Sequence, residues 1–130
     1  METWKYVLNN GLRLLGTTLF DLSEKIGDQR TKSAFDLLND AFFEYVEGVA
    51  TDDEQKVERG RSDFLRLAKT VARSGDERVI EAVSLLRGLM SDANEIRRET
   101  DWFLEQVHKV QRDIVRLSQH TWRGCALAMT

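Results

Sequence analysis

Glu105 and His108 form a Glu-x-x-His unit, and residues 108–125 hold both histidines and the only cysteine of the 130-residue chain. On a helix, Glu and His three residues apart share a face. This is one half of the paired unit that di-iron and di-manganese helical bundles use. Such a centre needs a second unit and two further carboxylates. His120 has Leu117, not an acid, three residues before it, so a second unit could come only from a second chain. Glu44 and Glu47 would then be the extra ligands. Cys125 lies about 140° around a helix from His120, which disfavours joint ligation. The pair therefore reads as a solvated Glu–His contact, with no metal and no cofactor expected. Cys125 has no orienting base near it in sequence and reads as a small apolar residue. Asp52 and Asp53 suit a helix start better than acid–base chemistry. No phosphate loop, dinucleotide fingerprint, zinc-finger spacing or Ser/His/Asp arrangement is visible. The chain is expected to be non-enzymatic.

Two cationic bands could meet an anion or a nucleic acid. Lys109, Arg112, Arg116, His120 and Arg123 recur at helical spacing, with Trp122 beside them as a surface on which a base could stack. Arg59, Arg66, Lys69 and Arg73 form a second stripe one element earlier. Two stripes could follow a phosphate backbone. Against this, Glu105 and Asp113 dilute the first band, and the net charge is −3. The sign also changes along the chain. Residues 1–65 carry 8 Lys/Arg against 13 Asp/Glu, and residues 66–130 carry 11 against 9.

The elements that must position these residues are helices. There is no proline, and sustained period-two alternation is absent, so strands are not expected. With 42% hydrophobic and 32% charged residues, the chain can bury a core without staples. One cysteine excludes an internal disulfide and fits a reducing compartment. Glu2, Asn9, Asn10 and Arg13 interrupt the opening segment as an export signal, and no uninterrupted run of 18 apolar residues suggests a membrane span. A cytoplasmic protein is the default expectation, with no membrane partner.

Leu8, Leu12, Leu15, Leu19, Leu22 and Ile26 predict a first helix over residues 3–26, widened by Leu14 and Phe20. Asp28 would cap a second helix, residues 29–49, with Phe35, Leu38, Phe42, Tyr45 and Val49 on its apolar face. Thr51 with Glu54 resembles a capping box opening a third helix, whose buried face is Val57, Phe64, Leu67 and Val71. Ser74-Gly75 ends it. Glycines 11, 16, 48, 60 and 88 fall inside helical patterns and are expected to mark close helix crossings.

From Val79 onward the spacing is stricter. Val79, Ala82, Leu86, Leu89, Ala93, Ile96, Thr100, Phe103, Val107, Val110, Ile114 and Leu117 alternate by three and four with no slip, as coiled-coil a and d positions do. Gly88 and a possible cap at Asp92 argue locally for a kink near residues 88–94, but the unbroken phase favours one helix over residues 77–123. That helix would be about 70 Å long, whereas a compact 130-residue domain is about 35–40 Å across. Its second half would then project, and its seam would need a partner.

The expectation is an all-α, antiparallel helical bundle of four or five helices with a long coiled-coil-like C-terminal helix. Residues 1–130 form one domain, with 1–91 the bundle core and 92–124 the candidate oligomerisation segment. The oligomer seam is Ile96, Phe103, Val107, Val110, Ile114 and Leu117. Trp102 is expected to be buried and Trp122 to be a contact. The function so implied is a helical adaptor or assembly protein that works through helix–helix contacts, with itself (a homodimer favoured) or with another protein. The alternative is an accessory subunit of a nucleoprotein complex that uses the two basic stripes. A sensor domain with a small-molecule pocket in the bundle is a third possibility.

Overall fold

The computed structural model describes the backbone of residues 3–129 and the side chains of residues 8–119. The protein is all-helical, with no strand among the described residues. Five α-helices follow in order: α1 (Thr3–Ser23), α2 (Gln29–Thr51), α3 (Glu54–Ala72), α4 (Glu77–Asp92) and α5 (Thr100–Met129). A short 3₁₀ turn, Ala93–Glu95, lies between α4 and α5.

Local signals explain most boundaries. Asp28 caps α2 by accepting the Thr31 N–H at 3.0 Å. Its carboxyl is held below the usual aspartate range, first by the Thr31 hydroxyl and then by the Thr31 backbone N–H, both hydrogen bonds to the charged form. The α2–α3 turn differs from expectation by two residues. Thr51 is the last residue of α2, and its hydroxyl donates back to the Glu47 carbonyl at 2.8 Å. Asp52 then turns left-handed at φ 58°, and Asp53 is the N-cap of α3, accepting the Lys56 N–H at 3.2 Å. A capping signal rich in Thr and Asp offers several registers, and the tight reversal between α2 and α3 selects the later one. Gly75 at φ +75° makes the turn after α3, and Asp76 caps α4.

α2 packs most extensively on α3. Gly48 and Gly60 make this close approach possible. A Cβ at Gly60 would stand 2.7 Å from the Tyr45 nitrogen and 2.8 Å from the Ala41 carbonyl oxygen. A Cβ at Gly48 would stand 2.8 Å from the Val57 nitrogen. The hairpin is antiparallel, with Lys56–Glu47 (2.9 Å) and Arg59–Glu44 (3.2 Å) ion pairs along its edge.

α1 is antiparallel to α2. Gly16 faces Phe43, and the Ser23 hydroxyl donates to the Asp36 carboxylate. Toward α5, however, α1 runs parallel. Gly11 abuts Leu104, the Gln111 side-chain amide donates to the Thr18 hydroxyl at 3.1 Å, and the Lys25 ammonium donates to the Ser118 carbonyl at 3.4 Å. The two hydrogen bonds each span 93 residues of sequence, so one register holds along the helix pair. An odd number of up-and-down helices that closes on itself must bring its first and last helices together in parallel.

The expected continuous fourth helix is corrected. It ends at Asp92 and resumes at Thr100. The interruption, residues 93–99, is seven residues long, one full heptad. A break of that length leaves the three-four phase intact on both sides, so periodicity could not reveal it. Ala93 and Ile96 keep their apolar positions and anchor the turn in the core, both fully buried. The turn wins on energy. Each apolar side chain fully buried contributes about 1.5–3 kcal/mol, and folding back buries Phe103, Leu104, Val107, Val110 and Ile114. The few helical hydrogen bonds lost are worth about 0.5–1.5 kcal/mol each.

Candidate functional site

The seam expected to seek a second chain is buried within this one. Ile96, Phe103, Val107 and Ile114 are fully inaccessible, Val110 is buried and Leu117 half-buried. α5 packs on α1 and α4. The pairing segment was legible in the sequence, but its partner helix is α1. The seam is therefore corrected from an oligomer interface to part of the intramolecular core.

The cationic bands are also placed. Lys109, Arg112 and Arg116 are exposed on α5, and Arg116 pairs with Asp113 at 3.1 Å. His120, Trp122 and Arg123, like Cys125, fall outside the residues whose side chains are described. On α3, Arg59 is tied to Glu44 and Arg66 to Asp63 at 3.5 Å, while Lys69 and Arg73 are exposed. α4 packs against both α3 and α5 and carries Glu77, Glu81 and Arg87 exposed. The two stripes lie on separate helices, each packed on α4.

Glu105 and His108 are exposed, and the proposed supplementary ligands Glu44 and Glu47 sit on α2 in ion pairs with Arg59 and Lys56. No group of three or more His, Cys, Asp and Glu suited to a metal occurs among the described residues. Trp102 is corrected from buried to 38% exposed. Of the five glycines, 11, 48 and 60 sit at close crossings and Gly16 faces Phe43 at ordinary contact distance. Gly88 faces open space, so no crossing explains it.

What sequence reasoning missed is a groove between α1 and α2. Its volume is about 670 Å³. The floor is Leu8, Leu12, Gly16, Phe43, Val46 and Ala50, and the lips carry Asn9, Arg13, Thr17 and Phe20 on α1 and Glu47 and Thr51 on α2. Two helical stripes build it. Leu8, Leu12, Gly16 and Phe20 recur every four residues on α1, and Phe43, Val46 and Ala50 recur by three and four on α2. Gly16 is the low point of its stripe, and the Phe43 ring reaches toward it, 3.5 Å from where a Cβ would stand. Phe43 is held edge-on to the buried Phe42, with ring centroids 5.1 Å apart. Phe20 is 58% exposed, the most exposed of the large apolar side chains among the described residues. The usable signal was the width of the apolar arc on α1. Leu14 and Phe20 lie well off the leucine stripe on opposite sides, both are exposed, and the Phe20 side forms the groove.

Among the described residues that line the groove, Arg13 and Glu47 are the charged ones. Arg13 has no ion pair among the described residues, and Glu47 reaches sideways to Lys56. The register set by Gly16 with Phe43 and by Ser23 with Asp36 places Arg13 and Glu47 level with one another on opposite lips.

No protein-family model, curated protein or solved structure matches the chain. No described helix is long and apolar enough to cross a membrane.

Proposed function

We propose that this chain is a non-enzymatic interaction module that works through helix–helix contacts, and that its working surface is the α1/α2 groove. The carrying observation is the continuous apolar floor from Leu8 to Phe20 and from Phe43 to Ala50, left open beside an exposed Phe20. A trough between two helices, lined at i, i+4 spacing, matches the geometry by which amphipathic helices dock. A rim of Asn9, Arg13, Thr17, Glu47 and Thr51 around an apolar centre is the usual composition of a specific contact. The adaptor role moves from the α5 seam, which α1 already covers, to this groove.

A displayed library of amphipathic helical peptides tests the reading. Peptides selected on the wild-type protein should lose at least about tenfold in affinity to Phe20→Glu and Ala50→Glu variants, as central contacts do. Leu65→Glu, which changes an exposed apolar residue on α3, should leave them unaffected. Peptides indifferent to both groove substitutions would refute the groove as the working surface. The nucleoprotein alternative draws on Lys109, Arg112, Lys69 and Arg73 and has less support, because Arg59, Arg66 and Arg116 of the same bands are already in ion pairs with acids. Salt-dependent capture of a labelled oligonucleotide at about 50 mM salt would favour it instead.

A further inference from the structure

The groove carries a pattern that selects its occupant. We propose that the α1/α2 groove receives the same groove of a second copy of this chain, with the two-fold axis running along the groove. This rests on the reading of the groove as a contact surface and names the partner.

Two copies can meet face to face in two symmetric ways. With the axis across the helices, each α1 lies on the other α1, which sets Arg13 against Arg13 and Glu47 against Glu47. With the axis along the groove, each α1 lies on the other copy's α2, antiparallel to it. Levels along the helices are preserved by that rotation. Because Arg13 and Glu47 stand level on opposite lips, each Arg13 then meets the second copy's Glu47, twice over. The rest of the lips follow the same register. Gly16 comes over the second copy's Phe43, and Asn9 over its Thr51. The Phe43 ring meets the low point at Gly16, polar meets polar, and cation meets anion. The result is a four-helix arrangement whose centre is filled by Leu12, Gly16, Phe20, Phe43, Val46 and Ala50 from both sides. An isologous contact requires this kind of self-complementarity, and the like-charge alternative is penalised by the same two residues. Arg13 has no ion pair among the described residues, so it makes this contact without breaking one, and Glu47 shares its carboxylate between the second copy's Arg13 and Lys56.

Charge reversal with mixing is the decisive experiment, read by sedimentation velocity across a micromolar-to-submillimolar series. The wild type should form a dimer. Arg13→Glu alone and Glu47→Arg alone should each weaken it by at least about tenfold, since each turns two attractive pairs into two repulsive ones. Mixed one to one, the two variants should recover the dimer, because every Arg13 again meets a Glu47 and every introduced Glu meets an introduced Arg. Both residues are exposed, and an unchanged circular dichroism spectrum shows that each variant is folded. A wild type that stays monomeric, variants that dimerise as the wild type does, or a mixture that fails to recover would each overturn the proposal. A monomeric wild type whose selected peptides still depend on Phe20 and Ala50 overturns only the second copy as occupant. Loss of that dependence as well removes the groove reading.

Discussion

Replacing Gly60 by alanine tests the tightest packing in the protein. In an exposed helix interior, alanine is favoured over glycine by about 0.5–1 kcal/mol. At Gly60 the new methyl would lie 2.7–2.9 Å from the Tyr45 nitrogen, the Ala41 oxygen and the Tyr45 Cα, all backbone atoms of α2. None of them can rotate away as a side-chain tip could. The helices must separate by roughly 0.6 Å to restore ordinary contact, and a gap of that order forfeits about a quarter or more of each dispersion contact it opens. Phe64, Tyr45 and Ala41 lie buried at this crossing. Overpacking of this kind costs about 1–3 kcal/mol beyond the propensity gain, equivalent to a Tm lower by about 4–12 °C. Gly88 is the internal control. It is also helical, but nothing lies within 4 Å of its would-be Cβ, so Gly88→Ala should stabilise by about 0.5–1 kcal/mol. Guanidinium unfolding followed by circular dichroism measures both, with an unchanged m-value confirming a true stability change. A Gly60→Ala protein as stable as the wild type would refute the backbone-contact reasoning. So would a Gly88→Ala protein that is clearly destabilised.

Two further outcomes follow from the core and the caps. Ile114→Asp should unfold the protein, with loss of helical circular dichroism, because it places an unpaired charge in the intramolecular core; a folded, soluble monomer would instead support an intermolecular seam. Asp28 has a folded-state pKa below its ordinary value of 3.8, so its contribution is present above that pH and fades as pH falls through the lower folded value. The stability gap between wild type and Asp28→Asn should therefore narrow as pH drops below about 3.8, and a gap constant from neutral pH to acid would contradict the cap's role.

The element list was largely legible because its signals are local. Leucine spacing marked α1, and Asp28 capped α2 without help from anything distant. The site was less legible, for three physical reasons. Periodicity reports which face of a helix is apolar, not which neighbour covers it, so the Val107–Ile114 seam looked like an interface when its partner was α1. A seven-residue turn preserves heptad phase, so the break at 93–99 was silent in the periodicity and was signalled only locally, at Gly88 and Asp92. A groove is also a property of two helices, and neither the Leu8–Phe20 stripe nor the Phe43–Ala50 stripe implies that the other stands beside it with a gap between them.

By itself, the sequence determined that the chain is helical, where most helices begin and end, and which side chains avoid water. Those outcomes depend on hydrogen bonds and periodicities that act within a few residues. Tertiary structure alone decided that α5 runs parallel to α1, that Gly60 lets α2 and α3 touch backbone to backbone, and that Arg13 stands level with Glu47. These depend on how far each helix must turn back to bury its apolar face. That is a balance over the whole core, to which residues 93 apart contribute as much as neighbours.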